Sequence, residues 1–332
     1  MNKRKQKRFL NKLVSWLGLF FFGFAAFMIY RQLSKYTLEE IKEAVVAVPN
    51  KNILLACIAS FCGYMALSSY DFLAIKYIKH KIAAWKWMFA GFIGFAVSNN
   101  AGHAIVSGGA IRYRLYTRWH VQATDIVKMV TFSGFTYLVA CFFLVIIGYI
   151  CSPDHVLSSV SSAYVNWSII IFSVGGLLFY LWGCAFYKKP IIIKEVEFEA
   201  PTLKMAIAQI IIGSVDILMA SLVLYFIMES YIDVPFFTFI GAFIIAQVLG
   251  VYSQVPGGLG VFELVFTNLL PEDENQATLF AILILYRIIY YLLPLIVSGV
   301  VLFIYEFHLA ENKRQILSRR KNKKIEKKIL TS

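Results

Sequence analysis

The chain has 332 residues, 59% of them hydrophobic and 15% charged, with a mean hydropathy of +0.69. Soluble domains run at about 45–50% apolar and about 25% charged, so a soluble globular fold is excluded. A lone anchor on a soluble domain is excluded too, because no block of domain size remains outside the apolar stretches. The net charge of +13 resides wholly in the ends: residues 1–12 and 307–332 hold fifteen Lys and Arg against Glu311 and Glu326, and the body is neutral. Basic residues off any folded soluble face do not predict a nucleic-acid partner; they read as positive-inside anchors with some attraction for anionic headgroups.

In chain order, the basic residues 1–12 precede an apolar stretch, 13–30. This resembles a signal peptide but lacks a small-residue cleavage site, and it is read as a retained first helix. A bilayer span takes about 20 mostly apolar residues, and further spans are predicted over 53–75, 126–150, 165–187, 205–228 and 277–305. Two other apolar regions are interrupted. Residues 87–119 contain Asn99, Asn100 and Ser107-Gly108-Gly109; residues 236–270 contain Ser253, then Pro256-Gly257-Gly258-Leu259-Gly260. Each reads as an apolar helix, a Gly-rich break and a second short helix.

The distribution of Lys and Arg discriminates between topologies. With six crossing spans and two re-entrant hairpins, both termini are cytoplasmic, and the inside segments hold 27 basic residues against 4 outside; Arg287 alone is left within a span. Other crossings put the nine-charge C-terminal tail or the 188–204 loop outside. The predicted fold class is therefore an all-α polytopic membrane protein, with six full spans and two re-entrant broken-helix hairpins. The hairpins enter from opposite sides, and Gly108-Gly109 and Gly257-Gly258 lie 149 residues apart. Opposed broken helices in matching positions are the signature of an inverted repeat with a binding site near the midplane. The repeats are expected at about 53–150 and 203–306, within a membrane domain 13–306 flanked by basic tails.

Non-helical backbone at membrane depth is tolerated where it is buried in protein or lines a wet cavity. A half-helix starting near Gly258 would point its N–H groups at that cavity and favour an anion, phosphate among them. Ionisable residues within spans are functional candidates by default. Arg287 needs a partner: Glu263, in a structural bridge, or a lipid phosphate. Arg112 and Arg114 follow the first Gly pair, either as basic edge residues or as headgroup ligands. Asp71 and Asp216 carry protons or pair with Arg112 and Arg287. Tyr290 and Tyr291 flank Arg287. His103 reads as a structural histidine, and Gly91 and Gly94 as helix-packing residues. Cys57, Cys62, Cys141, Cys151 and Cys184 show no metal or disulfide spacing. No catalytic motif and no cofactor or metal site is expected.

At this point the residues carry a family resemblance. Asn99-Asn100 with Ser107-Gly108-Gly109-Ala110-Ile111-Arg112-Tyr113-Arg114, Val255-Pro256-Gly257-Gly258-Leu259-Gly260-Val261-Phe262-Glu263, and Tyr286-Arg287-Ile288-Ile289-Tyr290-Tyr291-Leu292-Leu293-Pro294 together resemble the lysylphosphatidylglycerol synthase transmembrane-region family, over about residues 10–310. The resemblance implies a bacterial cytoplasmic-membrane protein that moves aminoacylated phosphatidylglycerol between leaflets and supports resistance to cationic antimicrobial peptides. Full-length enzymes of that family add a cytoplasmic aminoacyltransferase domain, which is not expected here, so the chain is read as a non-enzyme. Phosphatidylglycerol or its aminoacyl derivative is the expected partner, with a homo-oligomer and a separate cytosolic transferase as further ones. Two other readings stay open: a secondary transporter of a small anion, and a membrane scaffold for a separate aminoacyl-lipid or glycosyl transferase.

Overall fold

The computed structural model describes residues 48–101, 104–151, 163–193, 196–229, 236–253, 255–270 and 276–329, together with positions 39, 46, 231 and 234. The expected first span, 13–30, and His103 lie outside the described residues. Ten α-helices follow in order among the described residues: α1 (Asn50–Tyr77), α2 (Ala84–Ala101), α3 (Ala104–Arg118), α4 (Ala123–Cys151), α5 (Ala163–Phe186), α6 (Leu203–Met228), α7 (Phe236–Tyr252), α8 (Val261–Asn268), α9 (Gln276–Arg287) and α10 (Leu293–Ile329). Five stretches among the described residues are long and apolar enough to cross a membrane: α1, α4, Trp167–Phe186 of α5, α6, and Ile282–Glu311. Each overlaps a span expected from the sequence. The basic C-terminal tail continues α10 as helix to Ile329.

One element departs from an all-α reading. Strands β1 (Ile191–Ile193) and β2 (Val196–Phe198) pair antiparallel, Ile192 opposite Glu197, in the link between α5 and α6. Three consecutive β-branched residues favour strand over helix there.

The centre of the body is the contact between α1 and α6. Lipid tails are as apolar as leucine, so helix association in a bilayer depends on close packing, and small residues line the interfaces. A Cβ on Gly91 of α2 would come within 2.9 Å of the Ser68 Cα on α1, and one on Gly213 of α6 within 2.5 Å of the Ala140 Cβ on α4. Aromatic rings fill the remainder. Phe239 and Phe243 of α7 stack edge-on against Phe266 and Phe262 of α8, so α7 and α8 fold back antiparallel. The pair α2 and α3 does the same, with Trp85 against Trp119 at its open end.

The helix after Arg287 widens into one π-helical stretch, Ile288–Leu292. Pro294 supplies the cause. It has no N–H to give the carbonyl of Tyr290, four residues back, or that of Ile289, five back. Side chains from α1 take those places: Tyr64 donates its hydroxyl to the Tyr290 carbonyl at 3.1 Å, and Ser60 to that of Ile289 at 3.1 Å. Asn100 of α2 donates to the Tyr291 carbonyl at 3.1 Å.

Candidate functional site

The two folded helix pairs meet at a small cavity of about 60 Å³. It is lined by Ser98 and Asn99 of α2, by Gln247, Gly250, Gly257 and Gly258 of the second pair, and by Tyr291. Non-helical backbone survives here because protein surrounds it.

The break in the second pair lies where the sequence places it. Pro256–Gly258 forms one 3₁₀ turn, and Gly257, Gly258 and Gly260 have φ of 62°, 60° and 86°. That region is open to glycine and costly for other residues. Gly258 is constrained by space as well, since a Cβ there would lie 3.2 Å from the Gly250 backbone. Ser253 ends α7 by donating to the Gly250 carbonyl at 2.7 Å and accepting from the Val255 N–H at 3.2 Å.

The break in the first pair lies elsewhere. Ser107, Gly108 and Gly109 are helical residues of α3, which begins at Ala104. Gly108 is required by packing: a Cβ on it would sit 2.8 Å from the Ser98 hydroxyl, 3.0 Å from the Gly94 carbonyl and 3.1 Å from an Arg112 nitrogen. Gly109 has only the Val130 methyls near it, at 3.7 Å and beyond.

Two buried arginines pack behind this cavity, Arg287 against its Gly257 and Tyr291 and Arg112 against Gly94, one helical turn from Ser98. Arg287 donates through Nε to Glu263 and through Nη1 to the Gly257 carbonyl at 2.8 Å. Its guanidinium lies 5.3 Å from the Tyr291 ring. The other Glu263 oxygen accepts the Gly260 N–H at 2.8 Å. The second half-helix therefore begins at Val261 rather than Gly258, and the N–H of Gly260, the residue that caps it, serves Glu263.

Arg112 is 3% exposed and donates through Nε to both oxygens of Asp71, at 2.8 and 3.1 Å. Tyr116, one helical turn on, donates to the same carboxylate at 2.8 Å. The guanidinium lies 4.2 Å from the centre of the Phe95 ring. Its Nη2 is buried with no hydrogen-bond partner among the described residues. Arg114 is likewise buried, and it shares Glu306 of α10 with Arg118, at 2.8 and 2.6 Å.

Asp216 does not pair with Arg287. It accepts from Tyr70 at 2.9 Å and hydrogen-bonds Tyr290, with Tyr64, Tyr137 and Cys141 also close by. Its ring is made of hydroxyls and a thiol. Asp71 and Tyr70 are adjacent on α1 and face different partners, one toward α3 and one toward α6.

Sequence reasoning missed Tyr116, Tyr70, Gln247 and Glu306. Tyr116 had a usable signal, because four residues after Arg112 it shares that helix face. Gln247 and Glu306 had none, since their partners are distant in the chain.

A family model described as "Lysylphosphatidylglycerol synthase TM region" matches residues 15–298. The chain is 29% identical over 300 residues to slr0712 of Synechocystis, covering 90% of this chain and 92% of that protein. It is 29% identical over 301 residues to the inner membrane protein YbhN of Escherichia coli, covering 88% and 91%. It is 26% identical over 317 residues to the phosphatidylglycerol lysyltransferase of Staphylococcus xylosus, covering 92% of this chain and 35% of that enzyme.

Proposed function

The chain belongs to the lysylphosphatidylglycerol synthase transmembrane-region family, and from that premise we propose that it moves a phospholipid with an anionic or aminoacylated headgroup between membrane leaflets. Its relation to phosphatidylglycerol lysyltransferases supports phosphatidylglycerol or lysyl-phosphatidylglycerol as the cargo, with resistance to cationic antimicrobial peptides as the benefit. The observation that carries this reading is the buried Arg112 guanidinium, whose Nη2 has no hydrogen-bond partner among the described residues, packed against Gly94 one helical turn from the cavity-lining Ser98. A guanidinium edge held ready in a low-dielectric site is suited to a phosphate oxygen. The Arg287–Glu263–Gly257 bridge fixes the opposite wall. Ser107, Gly109, Asn99, Asn100, Ser253, Tyr290 and Tyr291 support the walls on this reading.

The elements suit an inverted repeat. A long helix, a folded pair and a long helix occur twice, as α1, α2–α3, α4 and as α6, α7–α8, α9–α10. The basic residues of the body gather at one end, from Lys76 to Lys86, from Arg112 to Lys128 and from Lys188 to Lys204. That end is assigned to the cytoplasm, with six spans, both termini inside and the folded pairs re-entrant from opposite faces. The hydroxyl-ringed Asp216 is the group assigned to carry a proton through the cycle.

The test is exchange of labelled phosphatidylglycerol and lysyl-phosphatidylglycerol between liposome leaflets with the purified chain. Exchange that disappears in Arg112→Gln, with the fold retained, is expected. A folded wild-type protein that exchanges neither lipid overturns the reading.

A further inference from the structure

A second cavity lies away from the cavity between the helix pairs. It has a volume of about 610 Å³ and runs between α4 and α5, with the β2 exit at one end. Its walls are apolar along most of its length, including Phe132, Phe135 and Val139 of α4 and Phe179 of α5. The deep end is closed by Phe142 against Phe172, ring centres 5.5 Å apart, and by Gly176, where an added Cβ would meet the Phe142 ring at 2.5 Å. Charged groups line only the other end, Lys128 and Glu199, with Tyr187 beside them.

Those features describe an amphiphile. From Lys128 to Phe142 is 14 residues of helix, about 21 Å at 1.5 Å per residue. One leaflet's share of a hydrocarbon core is about 15 Å, half of the usual ~30 Å. The groove is therefore long enough for one acyl chain of one leaflet. α5 is thinly covered by protein, with Phe172 and Phe179 at least 70% exposed, so the groove opens sideways to the bilayer rather than to water. The polar end carries both signs of charge. Lys128 is held by Asp125 at 3.5 Å, a loose pair, and Glu199 by an exposed Lys79. A headgroup with both a phosphate and an ammonium complements such a rim, phosphate toward Lys128 and ammonium toward Glu199.

We propose that the α4–α5 groove is a binding site for a zwitterionic aminophospholipid of the phosphatidylethanolamine type, with one acyl chain in the groove and its headgroup between Lys128 and Glu199. It is separate from the headgroup site beside Arg112 and does not depend on translocation.

The test uses the full chain in phosphatidylcholine nanodiscs doped with phosphatidylethanolamine bearing a diazirine on its acyl chain, the cross-linked peptides being mapped after illumination. Labelling is expected within 128–142 and 172–187. Gly183 lines the groove and an added Cβ there meets nothing within 4 Å, so Gly183→Phe should fill it and cut labelling at least fivefold. Gly175→Phe is the control, with the same bulk on the same helix at an exposed position with open space around it. Leu138→Trp fills the groove from α4 if Gly183→Phe does not fold. Lys128→Ala with Glu199→Gln should reduce the preference for the phosphatidylethanolamine probe over matching phosphatidylcholine and phosphatidylglycerol probes. Equal labelling by all three probes, labelling unchanged by both filling variants, or Trp182-to-Cys cross-links joining two copies across the groove would each overturn the proposal.

Discussion

Arg112 grips Asp71 through Nε alone, and its Nη2 is left as a buried donor with no hydrogen-bond partner among the described residues. The pair is thus both an anchor and an open contact. Arg112→Ala leaves the Asp71 carboxylate buried with only Tyr116, and should destabilise the fold by about 3–5 kcal/mol, the usual cost of stranding a buried charge. Arg112→Ala combined with Asp71→Ala should recover much of that stability without recovering lipid exchange. Thermal unfolding in detergent and liposome exchange, run on the same preparations, separate the two effects.

Arg287 uses its fork to span two acceptors, Glu263 and the Gly257 carbonyl. Lysine keeps the charge but offers a point donor in place of a fork. Arg287→Lys should fold and lose about 1–3 kcal/mol from the stranded Gly257 carbonyl, read as a lowered Tm. Glu263→Gln should cost more than Arg287→Lys, because it removes the carboxylate from both Arg287 and the Gly260 N–H.

Gly258 and Gly109 should respond oppositely to alanine. Gly258→Ala places a Cβ at positive φ and against Gly250, at a cost of about 1–2 kcal/mol from backbone conformation alone. Gly109→Ala sits in regular helix with room around it and should stabilise by roughly 0.5–1 kcal/mol. A loss of stability in both would contradict the different roles of these two glycines.

Asp216 contacts hydroxyls instead of a cation. Asp216→Asn keeps the shape and hydrogen bonds while removing the exchangeable proton. If Asp216 carries a proton through the cycle, exchange in the variant should lose its dependence on an imposed pH gradient while the Tm stays near wild type. A pH-gradient response equal to wild type would eliminate that role.

The π-helical stretch makes a prediction about backbone carbonyls. Ser60→Ala and Tyr64→Phe each strip the donor from a carbonyl that Pro294 leaves open, and each should destabilise by about 1–3 kcal/mol. In a Pro294→Ala background the helix can supply its own N–H, so both penalties should shrink. A double-mutant comparison by thermal unfolding measures that coupling.

Much of this was legible in the chain. Apolar length marked six crossing stretches, five of them within the described residues, because a span needs a fixed number of apolar residues, and Gly257, Gly258 and Gly260 announced their turn because glycine suits that backbone. Gly108 and Gly109 misled for a related reason: glycine serves close packing as readily as reversal, and the sequence does not distinguish the two. The Arg287–Glu263 and Arg112–Asp71 pairs were anticipated because a lone charge at membrane depth demands a counter-charge. The alternative of Asp216 with Arg287 failed because Glu263 lies closer and also caps its own helix. The π stretch was written in Pro294, but its donors on α1 lie more than 200 residues away, where local pattern carries no information.

Glu306 draws together Arg114 and Arg118 from the first half and the last helix of the second. With the α1–α6 interface, this gives the halves two joints independent of the peptide chain that links them. A nick in the β-hairpin link near residue 193 would sever the covalent connection and neither joint. The halves are in that sense a pair of subunits carried on one polypeptide, and supplying residues 1–193 and 194–332 as separate chains asks whether those joints suffice to reassemble the body.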